Sequence, residues 1–434
     1  MKGLPSLSLS LNVPGFPKSN STVSAFFQSC LQDLKHHFIA HRIEIYEKEA
    51  VEICDAAGDF YLVPFSVSGF SLTEIKQICE AFEGNHPLGR FVDVDLNDQQ
   101  GNSVSSGKSK LCFFCRERPA IECRRENVHD QEQLRSFMFS EMAEYCRKER
   151  EELIVKKLSS LAQKAILSEI SLTPKPGLID KFSSGSHTDM NYHTFIASTS
   201  AISPWFGELV REGFVFQDED LTKALPIIRN TGLRMESAMY AATGNVNTQK
   251  GIIFLMGISL FACGKLFRQN DYFIAEEFRS IIRTICKNLV ANEMVNTFPS
   301  AKSHGEKIFL EYGFCGARGE AESGFLTVFE FGLPQLIEAW ELNDEALFRC
   351  FLAVAANNND TNILYRSNPK TLESFKALSK VALANFNAKN YQAVIDFCRH
   401  ENISPGGSAD LLAVTIFVRS VMKFDLLIKQ KHDI

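Results

Sequence analysis

The sequence predicts a multidomain protein, an α+β N-terminal domain followed by an all-α C-terminal domain, and three observations carry that expectation. Apolar residues alternate with polar ones only before about Asn97, as half-buried strands require. Beyond His129 the apolar spacing changes to threes and fours, the period of amphipathic helices. The chain has 434 residues, more than the roughly 100–200 residues that one hydrophobic core usually serves.

The elements follow in order. Leu7, Leu9, Leu11 and Val13 alternate with Ser or Asn, and Ile43 with Ile45 and Val92, Val94 and Leu96 repeat the pattern, so each is expected to be a strand. Val23 to Phe38 and Leu72 to Phe82 carry helical spacing between them. Gln131 to Ile170 is nearly free of Gly and Pro and is expected to form one helix bridging the two domains, 1–150 and 156–434. Further helices are expected over Leu221–Ala242, Gly251–Phe267, Ala275–Asn292, Pro334–Ala356, Leu372–Phe386 and Ala409–Ile428, separated by loops rich in Gly, Ser, Asn and Pro.

Composition excludes several classes. A net charge of −6 and two domains of which neither is polybasic argue against a protein that coats nucleic acid. The apolar run Ile252–Cys263 is too short to span a bilayer and reads as a buried helix. Pro5 and Pro14 interrupt the N-terminal segment where a signal peptide needs an unbroken apolar stretch. Twelve cysteines spread over the chain fall far below the density of disulfide-stapled domains. A cytoplasmic protein, with neither nucleic acid nor membrane as partner, is expected.

Gly101 to Ser109 looks like a phosphate-binding loop, but five residues separate its glycines where that loop has four, and no strand runs directly into it. A polar turn is expected there. In Arg90-Phe-Val-Asp93-Val-Asp95-Leu96 the valines and Leu96 take one strand face, so Asp93 and Asp95 project together from the other, about 7 Å apart at the backbone. Such a pair suits Mg²⁺ ions that clamp a polyphosphate, and equally suits a solvated strand face. Arg90 and the basic run Lys108, Lys110, Arg116, Arg118, Arg124 and Arg125 favour phosphate chemistry. Cys112, Cys115, Cys123 and His129 offer three thiolates and an imidazole, a set able to close a structural Zn²⁺ site, although reduced thiols are often merely buried.

In the C-terminal domain five polar segments sit at loop or helix boundaries: Ser168–Asp180, Gly185–Met190, Thr243–Gly251, Gly316–Ala321 and Ile403–Asp410. Ser, Thr or Asn beside Gly at a helix start is ordinarily a cap, and also a ready seat for phosphate. Lys250 and Arg318 would add positive charge. Glu169, Asp180, Asp189, Glu236, Glu320, Asp360 and Asp410 form the pool for a general base and Mg²⁺ ligands, and spacing does not choose among them. His187 and His304 lie in polar, Gly-containing contexts and are the better histidine candidates.

These motifs carry a resemblance. SEISLTPKPGLID (168–180), GSHTDMNYHTF (185–195), the TGxVNTxKG pattern (243–251), GARGEAESGF (316–325), DTNILYR (360–366) and ISPGGSADLLA (403–413) resemble the triphosphoribosyl-dephospho-CoA synthases that prepare the prosthetic group of citrate lyase. LNVPGFPK (11–18), PLGRFVDVDL (87–96) and the Cys112, Cys115, Cys123, His129 series resemble the holo-citrate lyase synthases, phosphoribosyl-dephospho-CoA transferases. The resemblance implies a nucleotidyltransferase-like N-terminal domain and two consecutive reactions. First, the 2′-hydroxyl of 3′-dephospho-CoA attacks C1 of the ATP ribose and expels adenine. Then a serine of the acyl-carrier subunit of citrate lyase attacks the α-phosphate and releases pyrophosphate.

Carried onto this chain, the resemblance makes Asp93, Asp95, Glu169, Asp180, Asp189 and Glu320 the catalytic candidates, with Mg²⁺ on Asp93 and Asp95. Substrate contacts fall to Arg90, Lys175, His187, Asn247, Lys250, His304, Arg318, Asn362, Arg366, Gly406, Gly407 and Asp410. The chain departs from the family at Asn245, usually glycine, at Gln249, usually histidine, and at Ser106 and Ser109, often arginines; a first domain without the Arg/Glu-rich leader helix common upstream of LNVPGFPK is expected. Two other readings stand beside this one: the same chemistry serving malonate decarboxylase, and a non-enzymatic helical interaction protein with a zinc-stabilised adaptor domain.

Overall fold

Alternation in the first strand sets the N-terminal unit, Met1–Arg150. The structure is a computed structural model that describes residues 3–67, 69–105, 107, 110–295, 304–339 and 341–432, with side chains for all of these except 294, 295, 304, 305 and 425–432. In order come β1 (Ser6–Leu11), α1 (Ser21–Ala40), β2 (Val51–Asp55), β3 (Gly58–Pro64), α2 (Leu72–Asn85), β4 (Val92–Asn97), α3 (Ala120–Arg125) and α4 (Gln131–Ser171). The strands form one antiparallel sheet in the order β2-β3-β1-β4. Leu7 and Leu9 of β1 share a buried face with Val92, Val94 and Leu96 of β4, and Val23, Phe26, Phe27 and Leu31 of α1 belong to the same core.

The opposite face is polar, because Ser8 stands across from Asp95 and Ser10 across from Asp93. At the outer side of β4 the Val94 amide donates to Glu83 Oε1 (2.8 Å) and the Val94 carbonyl accepts from Lys76 Nζ (2.9 Å). Side chains of α2 thus occupy hydrogen-bonding groups that an edge strand leaves open.

Two strands escape the period-two reading, for opposite reasons. All five residues of β2 are exposed, so Val51 and Ile53 mark no buried face; in β3, Phe60, Tyr61, Leu62 and Val63 run without interruption because both faces carry apolar side chains. Ile43 lies outside any strand, and Ile45 makes only an isolated bridge to Phe65.

The 41-residue α4 crosses the boundary between the units. Its Met138 and Met142 belong to the N-terminal core, and its Ile154, Val155, Leu158 and Ala162 to the core of Glu151–Ile434. That second unit contains no strand among the described residues. It continues with α5 (Tyr192–Ile202), α6 (Phe206–Val215), α7 (Ala224–Thr243), α8 (Lys250–Gln269), α9 (Ala275–Ile285), α10 (His304–Tyr312) and α11 (Gly316–Glu322). Then follow α12 (Leu333–Ile337), α13 (Asp344–Asn357), α14 (Thr361–Arg366), α15 (Pro369–Ala384), α16 (Ala388–His400) and α17 (Gly406–His432).

Several expected helices divide. The one expected from Pro334 to Ala356 is two, with Asn343 capping the second by accepting the Ala346 amide at 2.9 Å. The one expected to reach Asn292 stops at Ile285, and a π-helical turn, Ala291–Val295, follows. The helices α5 and α16 start at Asn191 and Asn387, each accepting an amide three residues on, a capping signal present in the sequence.

The centre of the helical unit is α8, buried from Ile252 to Gly264 except for half-buried Phe254. Counted over the whole helix, the apolar stretch is long enough to cross a membrane, but 78% of its most apolar window is buried inside the unit. Glycines permit its closest approach to α6. A Cβ on Gly264 would lie 2.1 Å from the Val210 carbonyl oxygen, and one on Gly213 2.1 Å from that of Phe261.

Helix propensity alone favours alanine over an interior glycine by about 1 kcal/mol. Packing reverses the sign: Gly264→Ala should destabilise the helical unit by about 1–3 kcal/mol, the usual cost of overpacking. Trp205 and Trp340 are the chain's two tryptophans and both lie in this unit's sequence, so urea unfolding followed by fluorescence should show a lowered midpoint.

Candidate active sites

Residues of α4, α7, α8, α11, α14 and α17 line a cavity of about 870 Å³ in the helical unit, towards the top of the range of about 300–1,000 Å³ usual for small-molecule sites. Carboxylates stand on its walls. Glu169 near the end of α4 is buried and bonded to the buried Lys175 Nζ at 2.6 Å. Asp360, also buried, caps α14 by accepting the Asn362 amide (3.0 Å), and it takes the Ser408 amide (2.7 Å), the Ser408 hydroxyl (2.9 Å) and the Gly407 amide (3.3 Å) from the first turn of α17. Burial raises its pKa although all four donors pull the other way.

Asp410 differs from these two. No donor among the described residues hydrogen-bonds to it, and burial first, then the charges of Glu169 and Asp360, push its pKa well above the carboxylate range. It reaches the first turn of α8 because residue 251 is glycine: a Cβ there would lie 2.0 Å from Asp410 Oδ2. Glu320 also lines the cavity, but its oxygens accept the Thr327 amide (2.7 Å) and hydroxyl (2.9 Å), and burial raises its pKa.

Cations gather on other parts of the wall, mostly in pairs. Lys250 Nζ is 2.9 Å from Glu236, while the Lys250 amide uses Asn247 Oδ1 (3.3 Å). Arg318 contacts Glu293 (2.8 Å) and Glu306 (3.5 Å), and Arg229 also pairs with Glu293. Arg366 has no carboxylate within ion-pair distance among the described residues; it donates to the Ser186 carbonyl (2.9 Å) and to His187 Nδ1 (3.1 Å).

A guanidinium only donates, so His187 Nδ1 accepts and Nε2 carries the proton towards Ser404 Oγ at 3.0 Å. Burial, reinforced by the charge of Arg366, lowers the His187 pKa and keeps this tautomer neutral.

The candidates chosen from sequence are thereby sorted. Glu169, Lys175, His187, Asn247, Lys250 and Arg318 line the cavity. So do Glu320, Asn362, Arg366, Gly406, Gly407 and Asp410, although the Gly407 amide is already engaged by Asp360. Asp180 is off the wall: its oxygens accept the amides of Lys175, Phe182 and Ser183 and hold that loop. Asp189 is also off the wall, exposed and 3.9 Å from His187. His304 opens α10, but its side chain lies outside the described residues, as do Ser106 and Ser109.

Gln249 turns its amide to Ser198 and Thr199, and Asn245 takes a left-handed φ of 68°, a conformation that asparagine tolerates better than most residues. The pairings of Arg229, Glu293 and Glu306 left no signal in the sequence, since each sits in an ordinary polar helical context.

In the N-terminal unit Asp93 and Asp95 share the polar sheet face with Ser8 and Ser10. Lys110 Nζ bridges Asp93 (3.0 Å) and Glu83 (2.7 Å), Lys76 lies 3.8 Å from Asp95, and Arg90 donates to the Leu111 carbonyl. Alternation in β1 could have identified Ser8 and Ser10. One ligand atom from each of Cys112, Cys115, Cys123 and His129 lies within 4.8 Å of the others.

A pH effect follows at His187. Its folded pKa is below the ordinary value of 6.5, so the unfolded chain binds the extra proton first, and stability present above that value declines as pH falls through it towards the folded pKa. His187→Gln should flatten this decline in thermal melts, and the difference from wild type should stop changing with pH above about pH 7.5.

Residues 155–427 match the family model described as ATP:dephospho-CoA triphosphoribosyl transferase, and residues 1–145 the one described as apo-citrate lyase phosphoribosyl-dephospho-CoA transferase. The chain is 30% identical over 431 residues to Protein CitXG of Leuconostoc mesenteroides subsp. cremoris, which spans 95% of this chain and 90% of that one. Protein CitXG of Haemophilus influenzae is 30% identical over 448 residues, with the same coverage of 95% and 90%. A probable 2-(5''-triphosphoribosyl)-3'-dephosphocoenzyme-A synthase of Pectobacterium carotovorum subsp. carotovorum is 38% identical over 257 residues, 58% of this chain and 84% of that protein. With transferase family matches in both parts and full-length relatives of the same order, the chain belongs to the CitXG family of fused citrate lyase prosthetic-group transferases.

Proposed function

We propose that the helical unit joins ATP to 3′-dephospho-CoA, releasing adenine, and that the N-terminal unit transfers the resulting triphosphoribosyl-dephospho-CoA to a serine of the citrate lyase acyl-carrier subunit, releasing pyrophosphate. The observation that carries this reading is one cavity whose wall combines Asp410, a half-buried carboxylate with no hydrogen-bond donor among the described residues, with Arg366, a cation with no carboxylate partner among them. Transferase family membership sets aside the adaptor reading. Twelve free cysteines support a reducing, cytoplasmic setting.

In the first reaction the bond from the 2′-oxygen to ribose C1 forms as the bond from C1 to adenine breaks, and adenine leaves with that electron pair. Asp410 takes the hydroxyl proton, which is then available to the departing base. A carboxylate whose pKa is raised by burial and by neighbouring negative charge is a stronger base for this step. Glu169 and Asp360 are less suited, because Lys175 and the helix amides occupy their lone pairs. Arg366 receives the triphosphate, and Lys250 and Arg318 exchange carboxylate partners for phosphate oxygens.

In the second reaction the serine oxygen bonds to the α-phosphorus as the bond to pyrophosphate breaks. Asp93 and Asp95 would hold Mg²⁺, since they are two hard oxygen donors on one polar strand face. When bound, the ion would offset charge on the polyphosphate. Lys110 and Lys76 are already at the carboxylates and add positive charge towards the leaving group. The nucleotidyltransferase-like assignment rests on this arrangement.

Asp410→Asn should lower adenine release from ATP and 3′-dephospho-CoA by about 100-fold or more. A raised carboxylate pKa contributes stability at low pH that is lost as pH rises through the folded value, so the same substitution should raise Tm near neutral pH. A full rate with Asp410→Asn would remove Asp410 as the base. Asp93→Asn should leave adenine release intact while mass spectrometry finds the apo-carrier unmodified; carriers of citrate lyase and malonate decarboxylase, offered side by side, identify the acceptor.

A further inference from the structure

The segment between β4 and α4 has almost no apolar core of its own: from Lys110 to Asp130 the only buried side chains are Cys112 and Cys123. Its backbone nevertheless makes a defined turn. Leu111 bridges Pro119, the Cys112 amide donates to the Arg118 carbonyl (2.7 Å), and the Arg116 amide donates back to the Cys112 carbonyl (3.0 Å). Arg116 takes a left-handed φ of 60°, which closes the turn carrying Cys112 and Cys115. The short α3 then brings in Cys123, and the Val128 amide donates to the Cys123 carbonyl (3.0 Å) just before His129.

Geometry and burial converge at these four residues. Each offers one ligand atom within 4.8 Å of the other three. The Cys115 and Cys123 sulfurs are 3.7 Å apart, about the separation that two thiolates at roughly 2.3 Å from one tetrahedral zinc would have. A disulfide requires about 2.05 Å. His129 Nε2 is buried and has no hydrogen-bond partner, an expense that a structure ordinarily avoids.

We propose that Cys112, Cys115, Cys123 and His129 bind one Zn²⁺ in a closed, structural site. The cysteine ligands lose their thiol protons to solvent on binding, and the imidazole binds as the neutral ring. The ion supplies the cohesion that a segment with two buried side chains lacks. It also fixes Lys110, which reaches Asp93 at 3.0 Å and Glu83 at 2.7 Å, and the Leu111 carbonyl that holds Arg90. On the reading of the N-terminal unit as the transferase, zinc therefore positions charge at the transfer site and leaves the adenine-releasing cavity untouched.

The test uses the full chain, expressed with zinc present and purified under reducing conditions. Elemental analysis should find about one zinc per chain, and Cys115→Ser with Cys123→Ser should abolish it. Should that variant fail to fold, Co²⁺ exchanged into the wild type should still show the thiolate charge-transfer and intense d–d bands of a tetrahedral sulfur-rich site. Metal-free protein with all twelve thiols titratable, a Cys115 to Cys123 disulfide, iron in place of zinc, or zinc retained by the variant would each overturn the proposal. Zinc removal should stop carrier modification and spare adenine release. Carrier modification at the full rate without zinc would overturn the positioning role, whereas a zinc-loaded protein unable to modify any carrier would count against the proposed transferase activity and not against the metal.

Discussion

Asp360 accepts backbone amides from the starts of two helices at once, and the cavity of the helical unit depends on that carboxylate. Helix N-termini present unpaired amides and the positive end of the helix dipole, so a buried anion is well placed between them. By taking Asn362 from α14 and Gly407 and Ser408 from α17, Asp360 draws both helix starts to the cavity wall. Asp410 lies two residues beyond Ser408, so the same contact sets where it stands against Gly251. The start of α17 therefore receives an internal carboxylate at its Gly407 and Ser408 amides.

Charge distribution gives the cavity its chemical character. Glu169 and Asp360 are each compensated, by Lys175 and by helix amides, whereas Asp410 feels their negative charge with no donor of its own among the described residues. Ionising such a group in the fold is unfavourable, and that makes it more basic. Most cations of the wall are held by carboxylates; Arg366 instead donates to a neutral His187 and has no carboxylate at ion-pair distance among the described residues.

The N-terminal unit places its paired carboxylates differently, on one strand at the edge of a small sheet. Glu83 and Lys76 of α2 occupy the Val94 amide and carbonyl, which stabilises the outer side of β4. The aspartates on either side of Val94 remain on the polar face, each with a lysine beside it. The thiol-bearing segment that follows contributes Lys110 to this face, so its local cohesion bears on the electrostatics of the strand.

Local periodicity determined much of this protein. The alternation in Val92–Leu96 separated the buried valines from Asp93 and Asp95, and uninterrupted helical spacing from Gln131 identified α4. Those features are set by neighbours along the chain, which a sequence displays directly. It did not display β2, exposed throughout, or β3, apolar on both faces, because period two is visible only when the faces differ. Likewise the sequence supplied a pool of carboxylates and could not rank them. Tertiary structure assigned Asp180 to a loop, Glu320 to the Thr327 amide, Asp360 to two helix starts and Asp410 to a place without a donor. Solvation and charge at a side chain depend on residues far away in the chain that folding brings within a few ångströms, and that is why only the assembled structure decided which acid is held and which is free.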